Sequence, residues 1–525
     1  MRVLKIATVA AILFVASINL FAQTVTASSQ HAPATTPSTL RPATLTSSEI
    51  STRFPSIEPL FTAEEELGYT PEKILTADEV LTLSLLFSEC SLSSVTARRA
   101  FQKFERIKKE VSSPEYMQMS EEERGKAVLM LLYKNTLSEY NEDQSKINTV
   151  FETGYYNCVS SALIYMAAAK AAGLEVRGQK TPEHAFCSVY IKNKTTGKKH
   201  RIDVETTNPY GFNSGTTGSI DYGDNMKMYY SVPASDYDNR QEVSDKVFVG
   251  LVANNLCADY QKSGDYFSAI PSMAALYNLV KDEKSSAQRQ IQEDFFGFPC
   301  SYIHDVSIDL DSYSASKYED IVSWFASFIK RWGKNTALQD NMDAACNNLI
   351  YLCFQEKNYD LANAAFTKLK PYISKKQLAE SQEIITEILI TSKTDGAEPH
   401  QKTEIIYDLL NSINLSSAQK KRLSAELENT WLIILTERMN NYEFREGYQD
   451  SLTAQAQLPT SETFKQTTQI FYTDCIIDIH NVFVIQVNSG NYKEAIKTLE
   501  QGLSEFPENQ TLLNDLAILR SAGLL

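Results

Sequence analysis

The fold is decided by the stretch YYNCVSSALIYMAAAKAAGLEVRGQKTPEHAF, residues 155–186. Within it, residues 158–172 are rich in alanine and apolar on nearly every side, which is typical of a buried helix. Gly173 follows directly and can end that helix, because glycine readily adopts the left-handed conformation that closes many helices. The alanines predict that neighbouring elements pack close to the backbone of this helix.

Strand patterns follow the helix. Residues 176–179 predict a short strand, and residues 184–191 and 201–207 alternate between apolar and polar side chains, as the two strands of a hairpin do. The polar, turn-forming run 193–199 joins them. A helix followed by an antiparallel sheet is the signature of an α+β domain, which we expect to span residues 51–245.

Cys158 begins the predicted helix. At this position the unsatisfied backbone N–H groups and the helix dipole stabilise negative charge, so they favour a reactive thiolate. The same N–H groups can bind the oxyanion that forms during acyl transfer. The alternative is that Cys158 is a small buried apolar residue, which is the commonest role of an isolated cysteine.

A thiol nucleophile needs a base and a group that orients the base. Of the six histidines, His184 is the one that lies in an apolar strand near the candidate nucleophile. A hairpin that turns near residues 193–194 places Asp203 directly opposite His184. Glu205 shares that face of the sheet and is the second candidate for the orienting carboxylate. The alternatives are a structural histidine at 184 and an ion pair between Asp203 and Arg201.

Residues 155–186, followed by RIDVETTNPYGF at 201–212, resemble the transglutaminase-like superfamily of papain-like thiol enzymes. In that family a cysteine opens the central helix, and a histidine and an aspartate follow on neighbouring strands. The order is the same here, with intervals of 26 residues from Cys158 to His184 and 19 from His184 to Asp203. The resemblance implies that Cys158 is the nucleophile, His184 the general base and acid, and Asp203 the orienting carboxylate.

The reaction implied is attack of the Cys158 thiolate on an amide or peptide carbonyl of a protein or peptide substrate. His184 then protonates the leaving amine and activates water or an amine, so the enzyme is expected to be a peptidase, an amidase or an acyl transferase. Residues near the site are candidates for binding substrate, with ordinary packing as the alternative for the aromatic ones: Tyr155, Tyr156, Asn157, Tyr210 and Phe212.

The N-terminus predicts an exported bacterial protein. Arg2 and Lys5 precede the apolar run 6–22, as in a cleavable signal peptide of residues 1–22. An uncleaved membrane anchor is the alternative, although the run is short for a spanning helix. Residues 23–50 are mostly Thr, Ser, Ala and Pro and predict a flexible spacer. The mature chain is expected to be periplasmic or secreted, without a membrane span.

After a loop at about 208–240, the pattern is helical to the end of the chain. Residues 246–525 fit the 34-residue tetratricopeptide frame four times, most clearly in NYKEAIKTLEQGLSEFP at 491–507. The sequence therefore resembles tetratricopeptide repeats and predicts an all-α repeat domain that binds a protein partner or the substrate. An unrelated helical bundle is the alternative.

Composition argues against several function classes. The net charge of −15 and a pI near 5.1 argue against nucleic acid as a partner, because phosphate binding requires a clustered basic surface. The sequence contains no phosphate-binding loop, dinucleotide fingerprint or zinc-protease motif, so we expect no cofactor and no metal. Eight cysteines in 525 residues are too few for a disulfide scaffold.

A second function class stays open beside the enzyme. The protein could be an envelope adaptor whose repeats bind a protein partner while the thiol site is inactive. The reactivity of Cys158 toward an alkylating agent distinguishes the two, because an adaptor has no need of an activated thiol.

Overall fold

The computed structural model describes residues 54–69, 74–193, 196–213 and 239–524, which belong to one unit of the chain. The predicted signal peptide (1–22) and spacer (23–50) lie outside these residues, so both stay predictions. Much of the loop expected at 208–240 lies outside them as well.

Helices surround a small sheet in the first half of the described chain. The helices are α1 (Ala63–Leu67), α2 (Ala77–Phe87), α3 (Val95–Val111), α4 (Pro114–Gln118), α5 (Glu121–Asn135), α6 (Ile147–Thr153) and α7 (Cys158–Ala171). The strands are β1 (Glu139–Tyr140), β2 (Tyr155–Tyr156), β3 (Glu175–Lys180), β4 (Ala185–Lys192), β5 (Lys199–Val204) and β6 (Gln241–Val243). β1 and β2 form a short parallel pair of their own.

Capping interactions fix where two of the early helices begin. Thr76 and Glu79 cap α2 reciprocally, with each side chain bonded to a backbone N–H near the other. Ser120 and Glu123 do the same at the start of α5. Each cap satisfies backbone N–H groups that have no partner within the helix.

Helix α7 is the buried helix that the sequence predicts. Its residues from Val159 to Ala169 are all buried, and it contacts α2, α3, α5 and α6 as well as β3 and β4. The thiol of Cys187, on β4, lies 3.3 Å from the carbonyl oxygen of Ala162, so the strand approaches the helix backbone closely. Helices on one side and the sheet on the other therefore fix the direction in which the start of α7 points.

The main sheet has four strands in the order β5–β4–β3–β6, each antiparallel to its neighbour. The β4–β5 hairpin is the one that the sequence predicts. Its turn is closed by the N–H of Asn193, which donates to the carbonyl of Lys198 at 2.9 Å. Ser188 consequently pairs with Asp203 across the two strands. This register decides which carboxylate can reach His184.

The predicted fold class is wrong. Helices account for 70% of the structure and strands for 6%, so the protein is helix-dominated and does not have the α+β papain-like class expected for residues 51–245. The expected helix and hairpin both form, but the four strands of their sheet are only three to eight residues long. The sheet is therefore a minor layer, and most of the surface of α7 is covered by other helices.

From Asp245 to Ser521 the regular elements of the described chain are helical. They are α8 (Asp245–Val249), α9 (Leu251–Ser263), α10 (Tyr266–Val280), α11 (Ser286–Ile308), a 3₁₀ turn (Leu310–Ser312), α12 (Ala315–Trp332), α13 (Thr336–Gln355), α14 (Tyr359–Leu369), α15 (Lys375–Thr394), α16 (Pro399–Ser412), α17 (Ser417–Asn440), α18 (Phe444–Gln457), α19 (Glu462–Asn488), α20 (Tyr492–Glu505) and α21 (Gln510–Ser521). Their assignment to tetratricopeptide repeats stays a prediction.

The hydrophobic core continues across the domain boundary expected at 245/246. One cluster of buried side chains runs from Phe61 to Ile388. At the boundary the ring of Phe248 packs against Gly178 of β3 so closely that a Cβ on that glycine would lie 2.3 Å from the ring. Helix α8 therefore shares a core with the sheet. Two smaller clusters follow, within 390–471 and 475–519.

Among the described residues, one helix is long and apolar enough to cross a membrane by length and composition, and that is α19. Phe464 and Phe471 in its first half belong to one of the two small buried clusters, and Cys475 and Ile479 belong to the other. The helix therefore joins these two clusters.

Residues 54–60, here called the N-terminal strap, lie along two of the later helices. Phe54 stacks on the ring of Trp324, with 6.4 Å between the ring centroids, and Glu58 forms an ion pair with Arg331. Three hydrogen bonds join the strap backbone to α10 and α12: Trp324 Nε1 to Pro55 O (2.8 Å), Trp332 Nε1 to Ile57 O (2.7 Å) and Leu60 N to Pro271 O (2.8 Å).

Replacing Trp332 with Phe should loosen the N-terminal strap, because phenylalanine keeps an aromatic ring but lacks the N–H that binds Ile57. We expect faster amide hydrogen exchange across residues 54–60 and a loss of about 1 kcal/mol in the free energy of unfolding. Mass-spectrometric hydrogen exchange measures the first effect, and urea titration measures the second.

Trp431→Phe is the matched control, because the Trp431 indole donates to the Gln457 side chain at 2.8 Å and not to the strap. If residues 54–60 exchange their amide hydrogens equally fast in Trp332→Phe and Trp431→Phe, the hydrogen bond from Trp332 to Ile57 does not hold the strap.

Candidate active site

Cys158 occupies the first position of α7, directly after the capping residue Asn157. The Asn157 side-chain oxygen accepts from the N–H of Ser160 at 3.0 Å, and its own N–H donates to the Ser160 hydroxyl at 2.9 Å. The Asn157 amide nitrogen also donates to the Ser145 hydroxyl and to the Glu142 carbonyl, at 2.8 and 3.0 Å. Cys158 itself is a free, half-buried thiol. The structure thus has a half-buried cysteine at a firmly held helix start.

His184 lies just before β4 and is buried. Its backbone N–H donates to the Thr181 hydroxyl at 3.0 Å, and the N–H of Thr181 donates back to its carbonyl at 2.9 Å. The ring of Phe186 stacks on the imidazole with 6.1 Å between centroids. Backbone bonds and a ring contact therefore fix the position of this imidazole.

The carboxylate that meets His184 is Glu205. Nε2 of His184 lies 2.7 Å from Oε2 of Glu205, and the two side chains are only 1% and 5% exposed. The other carboxylate oxygen, Oε1, accepts from the N–H and the hydroxyl of Thr207 at 3.1 and 2.7 Å. Both oxygens are thus used, and the carboxylate is oriented toward the imidazole.

The electrostatics of this pair favour the charged forms. Burial by itself lowers the pKa of His184, but the charge of Glu205 and the hydrogen bonds of the imidazole to Cys158 and Glu205 raise it from 6.5 to about 10. Burial likewise raises the pKa of Glu205, yet the charge on His184 and the hydrogen bonds from His184 and Thr207 hold it below its usual 4.5. An imidazolium–carboxylate pair is therefore expected at neutral pH.

The Cys158 thiol also acts on the imidazole, since its hydrogen bonding and its charge are among the causes that raise the pKa of His184. Nε2 of His184 is bonded to Glu205, so Nδ1 is the ring nitrogen that we expect to face the thiol. A thiol, an imidazole and a carboxylate are the three groups that an activated cysteine nucleophile requires.

The expected pairing of Asp203 with His184 is wrong. The hairpin turns about two residues later than expected, so Asp203 lies opposite Ser188, whose hydroxyl donates to its Oδ1 at 2.7 Å. The Asp203 carboxylate also forms ion pairs with Arg201, at 3.2 Å, and with Arg240. Asp203 is therefore held by a serine and two arginines.

The same shift explains why Glu205 reaches the imidazole. The partner of Asp203 moves from residue 184 to residue 188, an even number of positions, so the expected face of the sheet is kept. Glu205 lies two residues beyond Asp203 on that face and meets His184 diagonally. The second candidate from the sequence takes the place of the first.

Two of the five candidate substrate-binding residues are exposed. Tyr155 is 43% exposed and Tyr210 is 64% exposed. Tyr155 lies three residues before Cys158, and Tyr210 lies five residues after Glu205. Both side chains are therefore free to contact a bound molecule.

The other three candidates are buried and have structural contacts instead. Asn157 caps α7, and the ring of Phe212 packs against Gly125, where a Cβ would lie 2.6 Å from it. Tyr156 is fully buried and packs edge-on against the rings of Tyr133 and Tyr140. Buried side chains cannot line an open cleft, so of the five candidates Tyr155 and Tyr210 stay predictions for substrate binding.

Two residues that contact the site are absent from the sequence-based predictions. Thr207 binds the Glu205 carboxylate, and it lies only two residues after Glu205, so a search of the local sequence around Glu205 could have found it. Tyr133 binds the carbonyl of Thr206, 73 residues away in the chain. No local sequence pattern predicts a contact between residues so far apart in the chain.

Among the described residues, no group of three or more histidine, cysteine, aspartate and glutamate side chains is arranged to hold a metal ion. No protein family, curated protein or solved structure matches this chain. Function therefore has to be inferred from the chemistry of the site residues.

Replacing Gly211 with Ala should displace Glu205, because the added Cβ would lie 1.9 Å from the Glu205 carbonyl oxygen and 2.8 Å from its Cβ. The N–H of Glu205 bonds to the Gly211 carbonyl at 2.9 Å, so the two backbones cannot separate without breaking that bond. We expect the pKa of His184 to fall from about 10 toward 6.5 as its carboxylate moves away, which NMR titration of the imidazole measures.

Gly297→Ala in α11 is the matched control, because a Cβ there meets nothing within 4 Å. An unchanged His184 titration in Gly211→Ala would contradict the close packing described for Glu205.

Proposed function

We propose that this protein is a thiol enzyme that acts on amide or peptide bonds, as a peptidase, an amidase or an acyl transferase. In this proposal Cys158 is the nucleophile, His184 the general acid and base, and Glu205 the carboxylate that orients and charges the imidazole. The buried hydrogen bond between His184 and Glu205, with Cys158 among the groups that raise the pKa of His184, is the single observation that carries it.

A comparison within the chain supports an activated thiol at Cys158. Only two of the eight cysteines, Cys158 and Cys300, are half-buried, and the rest are buried. Burial, with a smaller effect from the charge of Asp340, raises the pKa of Cys300 to about 12, so that thiol stays protonated at neutral pH. Cys158, in contrast, is the first residue of α7 and is one of the groups that act on the His184 imidazole.

The reaction follows from these positions. The Cys158 sulfur attacks the carbonyl carbon, and the electron pair of the C=O bond moves to oxygen, where backbone N–H groups at the start of α7 can stabilise it. The His184 imidazolium gives its Nδ1 proton to the leaving amine, and a thioester remains on Cys158. Neutral His184 then takes a proton from water or from an acceptor amine, whose attack releases the acyl group and restores the imidazolium.

The substrate in this proposal is a protein or peptide. The exposed rings of Tyr155 and Tyr210 offer apolar surface and hydroxyl groups for such a chain. The resemblance of residues 155–186 to transglutaminase-like enzymes supports the same reaction class. The helices after residue 245 would bind the substrate or a protein partner, in the way that helical repeats commonly do.

At pH 7, iodoacetamide should alkylate Cys158 much faster than Cys300 in the same folded molecule, because only Cys158 has a group that stabilises its thiolate. Peptide mapping by mass spectrometry measures both sites in one experiment. Cys158→Ala should remove the fast label and all hydrolysis of a fluorogenic peptide-amide library. If Cys158 is labelled no faster than Cys300, the enzyme proposal is rejected and the adaptor function is favoured.

The pH dependence of turnover should report the proton on His184. The imidazolium is the proton donor and is present below its pKa, so turnover is expected to fall as the pH rises through about 10. In Glu205→Gln the raising effect of the carboxylate is lost, and the alkaline limb should move down toward 6.5. The maximal rate should fall about 10²-fold, the scale of one general acid–base group.

Asp203→Asn is the matched control, because it neutralises a carboxylate two residues away that contacts Ser188 and two arginines. It should leave the alkaline limb in place. A profile that moves in Asp203→Asn and stays in Glu205→Gln would reverse the assignment of the orienting carboxylate.

A further inference from the structure

Two tyrosines from different elements meet beside the site. The hydroxyl oxygens of Tyr133, on α5, and Tyr156, on β2, are 3.0 Å apart, and their rings pack edge to face at 88°. The Tyr133 hydroxyl lies 2.9 Å from the carbonyl oxygen of Thr206, and the Tyr156 hydroxyl lies 3.3 Å from that of Thr207. We call these two hydroxyls the tyrosine bridge.

The carbonyls that the tyrosine bridge binds belong to the turn that carries Glu205. Thr207 holds the Glu205 carboxylate with its N–H and its hydroxyl, while its carbonyl faces Tyr156. Thr206 and Thr207 are fully buried, so these carbonyls have no water to bind if the phenols are removed. Movement of this backbone would carry the carboxylate of Glu205 with it.

The tyrosine bridge also joins the two halves of the site along the chain. Tyr156 lies two residues before Cys158, and its backbone pairs with β1. The start of α7, which bears the nucleophile, is therefore connected through one phenol pair to the turn that bears the carboxylate. Each phenol has one proton, so two hydrogens are shared among three oxygen–oxygen contacts. Removing either hydroxyl therefore affects the hydrogen bonds of the other.

We propose that Tyr133 and Tyr156 are positioning residues, which hold the turn 205–207 so that the Glu205 carboxylate stays within hydrogen-bonding distance of His184. This inference rests on the proposed function, since it assigns a role within the same site. It assigns to both tyrosines a role that is exerted through Glu205.

A purely structural role for the tyrosines makes a different prediction. Edge-to-face ring packing alone would survive replacement by phenylalanine, which keeps both rings. The Ser161 hydroxyl, 3.0 Å from that of Thr206, would then suffice to hold the turn. The hydroxyls are therefore the atoms to remove, and the charge state of His184 is the property to follow, because Glu205 and Cys158 are the charged groups that raise its pKa.

The experiment compares Tyr133→Phe and Tyr156→Phe with the wild type by NMR titration of His184 and by the rate of Cys158 alkylation at pH 7. We expect the pKa of His184 to fall by about one unit in each variant and the alkylation to slow several-fold, because the carboxylate is held less firmly. The double variant should show less than the sum of the two effects, because the hydroxyls share their protons.

Tyr318→Phe is the matched control, since Tyr318 is fully buried, as Tyr156 is, and its phenol bonds to Ser307 and Asn348 in the helical half. If His184 has the same pKa in Tyr133→Phe and Tyr156→Phe as in Tyr318→Phe, the positioning role is refuted, even if the variants differ in thermal stability. The proposed function fails separately, when the wild-type Cys158 is unreactive or Cys158→Ala still turns over substrate.

Discussion

The hydrogen bond between His184 Nε2 and Glu205 Oε2 joins two groups that water scarcely reaches. Removing a carboxylate and an imidazolium from water costs several kcal/mol for each ion, and only close, well-oriented partners offset that cost. Here the carboxylate has the imidazole on one oxygen and both donors of Thr207 on the other. The imidazole is bonded to the carboxylate through Nε2, and the Cys158 thiol is a further group that raises its pKa. The remainder of the site can be understood as the structure needed to keep this buried pair intact.

The thiol, the imidazole and the carboxylate are each fixed by a different part of the fold, and none of those parts is large. The cap at Asn157 sets the start of α7, the Thr181 bonds set the loop before β4, and the close backbone of Gly211 sets the turn after β5. The surrounding helices supply the buried environment in which a charge has its full effect on a neighbour. This division explains how a helix-dominated protein can hold a site on so small a sheet.

Much of this could be predicted from local pattern. The cysteine at the helix start, the histidine before a strand and the hairpin all depend on residues close in sequence, and the even spacing of a strand placed Glu205 on the correct face. The turn position was wrong by two residues, because the polar run 193–199 offers several places to turn and only tertiary contacts select one. The fold class was wrong for a related reason, since a short sheet and a longer one share the same local pattern. Tyr133 had no signal at all, because its contact with Thr206 spans 73 residues.

The N-terminal strap has a mechanical consequence. A pull on the chain at residue 54 would first load the indole bonds of Trp324 and Trp332 and the Glu58–Arg331 ion pair, which lie along α12. The hydrogen bond from the backbone N–H of Leu60 to the carbonyl of Pro271 passes the rest of that load to α10. The tension would thus enter the helical half before it reached α2 and α7, which pack against each other. A protein fastened by its N-terminus could be stretched there while the spacing of thiol, imidazole and carboxylate remained undisturbed.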